Sequence, residues 1–226
     1  PSSFHIDTAI YLAKYGINLL IEKPLSNSLD RIDELIEITK KENIAVLVGY
    51  NLRYKESLIK FRDYINAQNI GKILSVDCEA GQFLPDWRPN TDYKKTVSAQ
   101  KALGGGVLLE LSHEIDYLRW IFGEIEWVNG ILCKQSNLDI DVADYVNLTM
   151  GTQKSQCILN LILDFHRRDS SRKCVAHGEK GSLKWDASKG TVEVYDLNLN
   201  SWKIIFQENT VNNDKTYINE WQHFIS

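Results

Sequence analysis

Apolar positions in the first third of the chain switch between helical spacing and short unbroken runs. Ile6, Ala9, Ile10 and Ala13 recur at helical intervals within residues 5–15, and Gly16 follows where a left-handed residue commonly closes a helix. Residues 17–21 are then a short apolar run, read as a strand that ends at Lys23 because Pro24 has no N–H to offer a ladder. Ser26, Asn27 and Ser28 are candidate N-caps for a helix reaching about Asn43, with Leu29, Ile32, Leu35 and Ile36 as its apolar face. Ile44-Ala45-Val46-Leu47-Val48, closed by Gly49, reads as a parallel strand buried on both faces. The order helix, strand, helix, strand predicts a parallel α/β sheet.

The remainder reads differently. Residues 73–80 form a strand, followed by a long polar and aromatic segment over 81–103 that holds Trp87, Tyr93 and two prolines and is read as an ordered, substrate-facing loop. Leu108, Leu111, Ile115, Leu118 and Phe122 then follow helical spacing within 107–122, with Gly123 as the stop. Segments at 126–132, 145–150, 156–165, 173–177, 182–185, 192–195 and 202–206, separated by turn signals, predict a mostly antiparallel sheet packed on that helix. Its other face, if apolar, would be covered by a second subunit, because large exposed apolar patches are rare on monomers. Residues 217–226 begin another helix.

Composition narrows the function classes. Hydrophobic residues make up 43% of the 226, enough for one large or two small domains. Lys and Arg number 26 against 30 Asp and Glu, a net charge of −4 that leaves no electrostatic footprint for nucleic acid. Apolar runs fall far short of the roughly 20 residues that cross a bilayer, and no basic, apolar signal segment opens the chain, so a cytoplasmic location without membrane partners is expected. Cys78, Cys133, Cys157 and Cys174 form no C-x-x-C pair and are read as small buried hydrophobes rather than a disulfide framework or zinc site.

Ligands of open α/β sheets bind beyond the carboxyl ends of the strands, and two such ends here are polar: Glu22-Lys23-Pro24 and Tyr50-Asn51-Leu52-Arg53-Tyr54. Gly104-Gly105-Gly106 lets the backbone approach a neighbour closely at the start of the 107–122 helix. On that helix Glu110 and His113 share a face, and Asp116 continues the row. The same carboxylate and histidine spacing occurs in helical di-metal sites, but the matching ligands are not visible, and no metal is expected. His166, Arg167 and Arg168 read as a solvated strand-end cluster and His177 as structural; His223 is given no role.

Four blocks in order, Pro1-Ser2-Ser3-Phe4-His5, Glu22-Lys23-Pro24-Leu25, 48–54 and Gly104-Gly105-Gly106 with Glu110-Leu111-Ser112-His113-Glu114-Ile115-Asp116, resemble the glucose-fructose oxidoreductase/inositol dehydrogenase (Gfo/Idh/MocA) family over the whole chain. The resemblance implies a partial Rossmann-type sheet in residues 1–55 and a substrate-binding and oligomerisation sheet domain in 56–226. It implies an oxidoreductase that uses NAD or NADP to move hydride to or from a sugar, nucleotide-sugar or cyclitol, and a homo-oligomer through the sheet face. Lys23 matches the lysine that hydrogen-bonds the reacting hydroxyl, and His113 matches the general acid/base. Implied cofactor contacts come from His5, Glu22, Lys23, Pro24, Asn51, Trp87 and Arg88, and substrate contacts from Arg53, Tyr93 and His113; Trp87 and Arg88 are candidates for the substrate pocket as well. The chemistry fits these side chains on its own terms. Loss of hydride from a carbinol carbon requires the hydroxyl proton to leave, imidazole titrates nearest neutral pH, and a nearby ammonium stabilises the developing alkoxide.

Two departures from the family pattern stand out. Many members carry Asp four residues before the histidine, whereas Glu110 lies three before His113, so its part in orienting or charge-tuning the imidazole rests on a different spacing. No G-x-G-x-x-G occurs, and the resemblance places that phosphate cradle before Pro1, at about 60 or more residues. A fragment with impaired cofactor binding is therefore expected, with a non-catalytic sugar-binding or regulatory domain as the alternative.

Overall fold

The computed structural model describes residues 1–153, 157–209 and 214–226. Lys154 and Gln156, assigned from sequence to a turn and a strand start, lie outside them. Helix α1 (His5–Ala13) buries Ile6, Ala9, Ile10 and Ala13, the set marked by its spacing. Strands β1 (Leu19–Glu22) and β2 (Val46–Gly49) pair in parallel, with Glu22 opposite Gly49. The strand end thus falls one residue earlier than expected, and the Lys23–Pro24 peptide is cis.

Helix α2 (Ile32–Glu42) starts beyond the serines, because Ser28 Oγ accepts from the Asp30 N–H and closes a turn, while Arg31 enters the helix at φ 61°. Leu29 is left 87% exposed, outside the apolar face assigned to it. β2 is not buried on both faces: Val46 is exposed and Leu47 and Val48 only half-buried, since a two-stranded sheet gives its strands little cover.

The second sheet has eight strands: β3 (Ile73–Gly81), β4 (Ile125–Cys133), β5 (Tyr145–Thr152), β6 (Ile158–Asp164), β7 (Ser171–Gly178), β8 (Gly181–Asp186), β9 (Thr191–Asp196) and β10 (Ser201–Gln207). Their order is β10-β9-β8-β7-β3-β6-β5-β4, antiparallel throughout except where β3 runs parallel to β6. One face carries Val76, Cys78, Leu159, Leu161, Leu163, Cys174, Leu183 and Trp185, all buried. Helix α3 (Glu56–Asn66), for which the sequence reading offered no element, lies against this face at β8 and β9 with Leu58, Phe61 and Ile65 buried. The opposite face is mixed rather than apolar. Asp77, Glu79, Asn160, Lys173 and Lys184 occupy its centre, and Trp127, Ile131 and Ile158 gather towards the β4 edge. Cys78, Cys157 and Cys174 are buried, as expected of small hydrophobes, but Cys133 at the β4 edge is only half-buried.

The helix expected over 107–122 is broken. A single turn α4 (Val107–Glu110) stops where Leu111 leaves helical geometry, and α5 (His113–Phe122) begins anew. The glycine block before it is required by contact: a Cβ on Gly105 would lie 2.1 Å from the Val97 carbonyl oxygen. Short 3-10 turns, beginning with Leu84–Asp86, organise the segment between β3 and α4. The last element is α6 (Asp214–Ile225), packed on the turn Asn51–Tyr54.

Candidate active site

The carboxyl end of β1, the α4–α5 junction, β3, β7 and α6 converge on a cavity of about 440 Å³ lined by Lys23, Trp87, Glu110, His113, Arg172 and Tyr217, with Lys55, Gln82 and Ser171 among its polar neighbours. Lys23 arrives from the strand end, and its Nζ donates to the backbone carbonyl of Glu110 at 2.7 Å. Burial pulls its ammonium below its ordinary value, while the Glu110 carboxylate is the strongest charge acting to keep it protonated. His113 opens α5 and is buried, with its Nδ1 left without a hydrogen-bond partner. Burial first, then the cations Arg172 and Lys23, hold its pKa well below 6.5, so the imidazole is neutral near pH 7. The Tyr50 ring packs edge-on against it at 5.7 Å.

Glu110 is placed differently from the sequence expectation. The break at Leu111 removes the shared helical face, and Glu110 serves Lys23 through its carbonyl and its charge instead of bonding to His113. Asp116 does not continue a reactive row either: it receives two bonds from Arg53, at 2.8 and 2.7 Å, which occupies Arg53 outside the cavity. Asn51 is buried and donates to Thr216 Oγ1 at 2.8 Å, tying the β2 end to α6.

Trp87 lines the cavity, its indole N–H on the Gln82 carbonyl and its ring against Phe165. Arg88 and Tyr93 line a separate small pocket instead, where the Tyr93 hydroxyl accepts from the Asp139 N–H. His5 donates from Nδ1 to the Pro24 carbonyl at 2.9 Å, and His5 and Glu22 border a groove beside α1. Of the reacting groups named from sequence, Lys23, Glu110 and His113 therefore meet in one cavity, and Trp87 joins them.

Sequence reasoning missed Arg172, Glu114, Lys55 and Tyr217. Arg172 Nε lies 2.7 Å from Glu114 Oε1, and Glu114 is wholly buried. Lys55 pairs with Glu208 at 3.1 Å, both side chains buried. These residues sit far apart in the chain; Glu114 lies within the block that holds His113 and Lys55 directly follows the block 48–54, while Arg172 and Tyr217 adjoin no motif. His177 bonds Ser182, as a structural histidine would. Arg167, read as solvated, instead pairs with Asp164 and Glu79.

Residues 58–184 match the model of the GFO/IDH/MocA C-terminal domain, and residues 1–50 match that of the oxidoreductase family with an NAD-binding Rossmann fold. The chain belongs to the Gfo/Idh/MocA family. A levoglucosan dehydrogenase of Pseudarthrobacter phenanthrenivorans is 31% identical over 134 residues, spanning 58% of this chain and 34% of that protein. Oxidoreductase P35 of Formosa agariphila is 25% identical over 200 residues, 86% of this chain and 60% of that one. This Gfo/Idh/MocA chain thus spans between about a third and three fifths of these relatives' length. A solved levoglucosan dehydrogenase in complex with NADH and levoglucosan superposes with a TM-score of 0.85 at 20% identity, covering 99% of this chain and 68% of that one, which shows the shared fold. Among the described residues no helix is long and apolar enough to cross a membrane, and no group of His, Cys, Asp and Glu is gathered to hold a metal.

Proposed function

We propose that this chain carries the reacting end of an NAD- or NADP-dependent dehydrogenase site that oxidises a sugar-like alcohol or reduces its carbonyl. The observation that carries the reading is the meeting of a half-buried Lys23 amine and a neutral His113 imidazole, its Nδ1 without a partner, in one aromatic-walled cavity. Those two groups fit the reacting end of a nicotinamide and alcohol pair, and the family match supports the assignment. When bound there, the nicotinamide supplies the hydride acceptor or donor. The protein's part is to bind, orient and move the proton. His113 takes the hydroxyl proton as a general base and returns it in the reverse direction. Lys23, held by the Glu110 carbonyl, donates to the same oxygen and stabilises the charge that develops on it. Trp87 offers a flat apolar wall to the sugar face.

The fit does not extend to the pyrophosphate, because the 226 residues contain no G-x-G-x-x-G turn. Weak cofactor affinity is part of the proposal, and tight NAD binding by calorimetry would overturn that part. The test of function is absorbance at the reduced-nicotinamide band with a sugar and cyclitol panel at high NAD or NADP, for wild type, Lys23→Ala and His113→Ala. Turnover lost in both variants with cofactor binding retained supports the reading. Sugar binding without turnover in the wild type supports the non-catalytic alternative. We further propose a cytoplasmic homo-oligomer joined through the open sheet face, supported by Trp127, Ile131 and Ile158 on that face; light scattering showing a monomer would contradict it.

A further inference from the structure

We propose that the Glu114–Arg172 pair is a specificity element that makes this cavity a site for uncharged, monosaccharide-sized polyols. The inference rests on the dehydrogenase reading above and names its substrate class. Three cations line the cavity, each with a carboxylate acting on it: Glu110 on Lys23 through its charge, Glu208 on Lys55 at 3.1 Å, and Glu114 on Arg172 at 2.7 Å. His113 adds no charge, being held neutral by burial and by its cationic neighbours. The balance leaves no uncompensated positive charge for a sugar carboxylate or a nucleotide diphosphate, both of which need one when desolvated.

The polar groups that remain suit hydroxyls. Gln82, Ser170, Ser171 and Ser188 border the space, while Arg172 Nε and Glu114 Oε1 are taken up by each other. Arg172 is 28% exposed, and its outer N–H groups make no hydrogen bond among the described residues, so they are available to a ligand oxygen. Glu114 meanwhile cancels the attraction those groups would exert on an anion. The volume of about 440 Å³ lies at the small end of ligand pockets, roughly 300–1,000 Å³, which favours one sugar ring over a nucleotide sugar.

The test is equilibrium binding of D-glucose, myo-inositol, D-glucuronate and UDP-glucose to the chain, by calorimetry, for wild type, Glu114→Gln and Arg172→Gln. Wild type is expected to bind an uncharged polyol at least about tenfold more tightly than glucuronate or UDP-glucose. Glu114→Gln unmasks the guanidinium and shifts the glucuronate-to-polyol ratio about tenfold towards glucuronate, an effect that weakens with added salt. Arg172→Gln weakens polyol binding without that shift. Preference of wild type for either anionic ligand, binding of none of the four, or a folded Glu114→Gln with an unchanged ratio would overturn the proposal. If Glu114→Gln does not fold, the wild-type ratio and Arg172→Gln decide it. Charge selection without nicotinamide reduction would sink the dehydrogenase reading alone.

Discussion

Lys23 Nζ donates to the backbone carbonyl of Glu110, while the Glu110 side chain acts on the same amine only through its charge. The two roles separate on mutation. Glu110→Gln keeps the carbonyl contact but removes the carboxylate that favours the ammonium, so the Lys23 pKa, already lowered by burial, falls further. The alkaline limb of the pH–rate profile should move to lower pH, with the same displacement in the Lys23 signal by NMR. A limb that stays in place would show that the Glu110 charge does not reach Lys23.

His113 should titrate well below 6.5, and Arg172→Gln should raise its pKa by removing the stronger of two repelling charges. Ring-proton NMR reads both. Its folded value lies under its unfolded one, so the stability it contributes is complete above pH 6.5 and is lost as the pH falls through the folded value.

Glu220 on α6 carries the opposite dependence. It is 2% exposed, its Oε1 has no hydrogen-bond partner, and burial followed by the neighbouring Glu22 pushes its carboxyl from 4.5 up to about 7. A raised folded value gives stability that is complete below pH 4.5 and lost as the pH rises towards about 7. Glu220→Gln should therefore melt higher than wild type at pH 8, with the gap closing near pH 4.5. An equal gap at both pH values would rule out titration of Glu220 as its source.

Leu161, at the centre of β6, is wholly buried, whereas Leu199 in the β9–β10 turn is 67% exposed. Leu161→Ala should cost about 2–5 kcal/mol by urea unfolding, and Leu199→Ala less than about 0.5 kcal/mol. Comparable losses at the two sites would contradict the assignment of this sheet face as the core.

Periodicity located most elements because burial of one face is a local constraint written into alternate or every third and fourth position. α1 and the strands of the large sheet were legible in this way, to within a few residues at their ends. It failed at α2, where Ser28 closes a turn with Asp30 before the helix begins, and at 107–122, where apolar spacing runs on through a backbone break at Leu111. The motif residues Lys23 and His113 were legible from type and order alone. What they face was not. That Glu110 turns to Lys23, that Arg53 is held by Asp116, and that Glu114 and Lys55 enter the site's charge balance depend on contacts between residues far apart in sequence, and only packing β1, α5, β7 and α6 together brings those charges within reach.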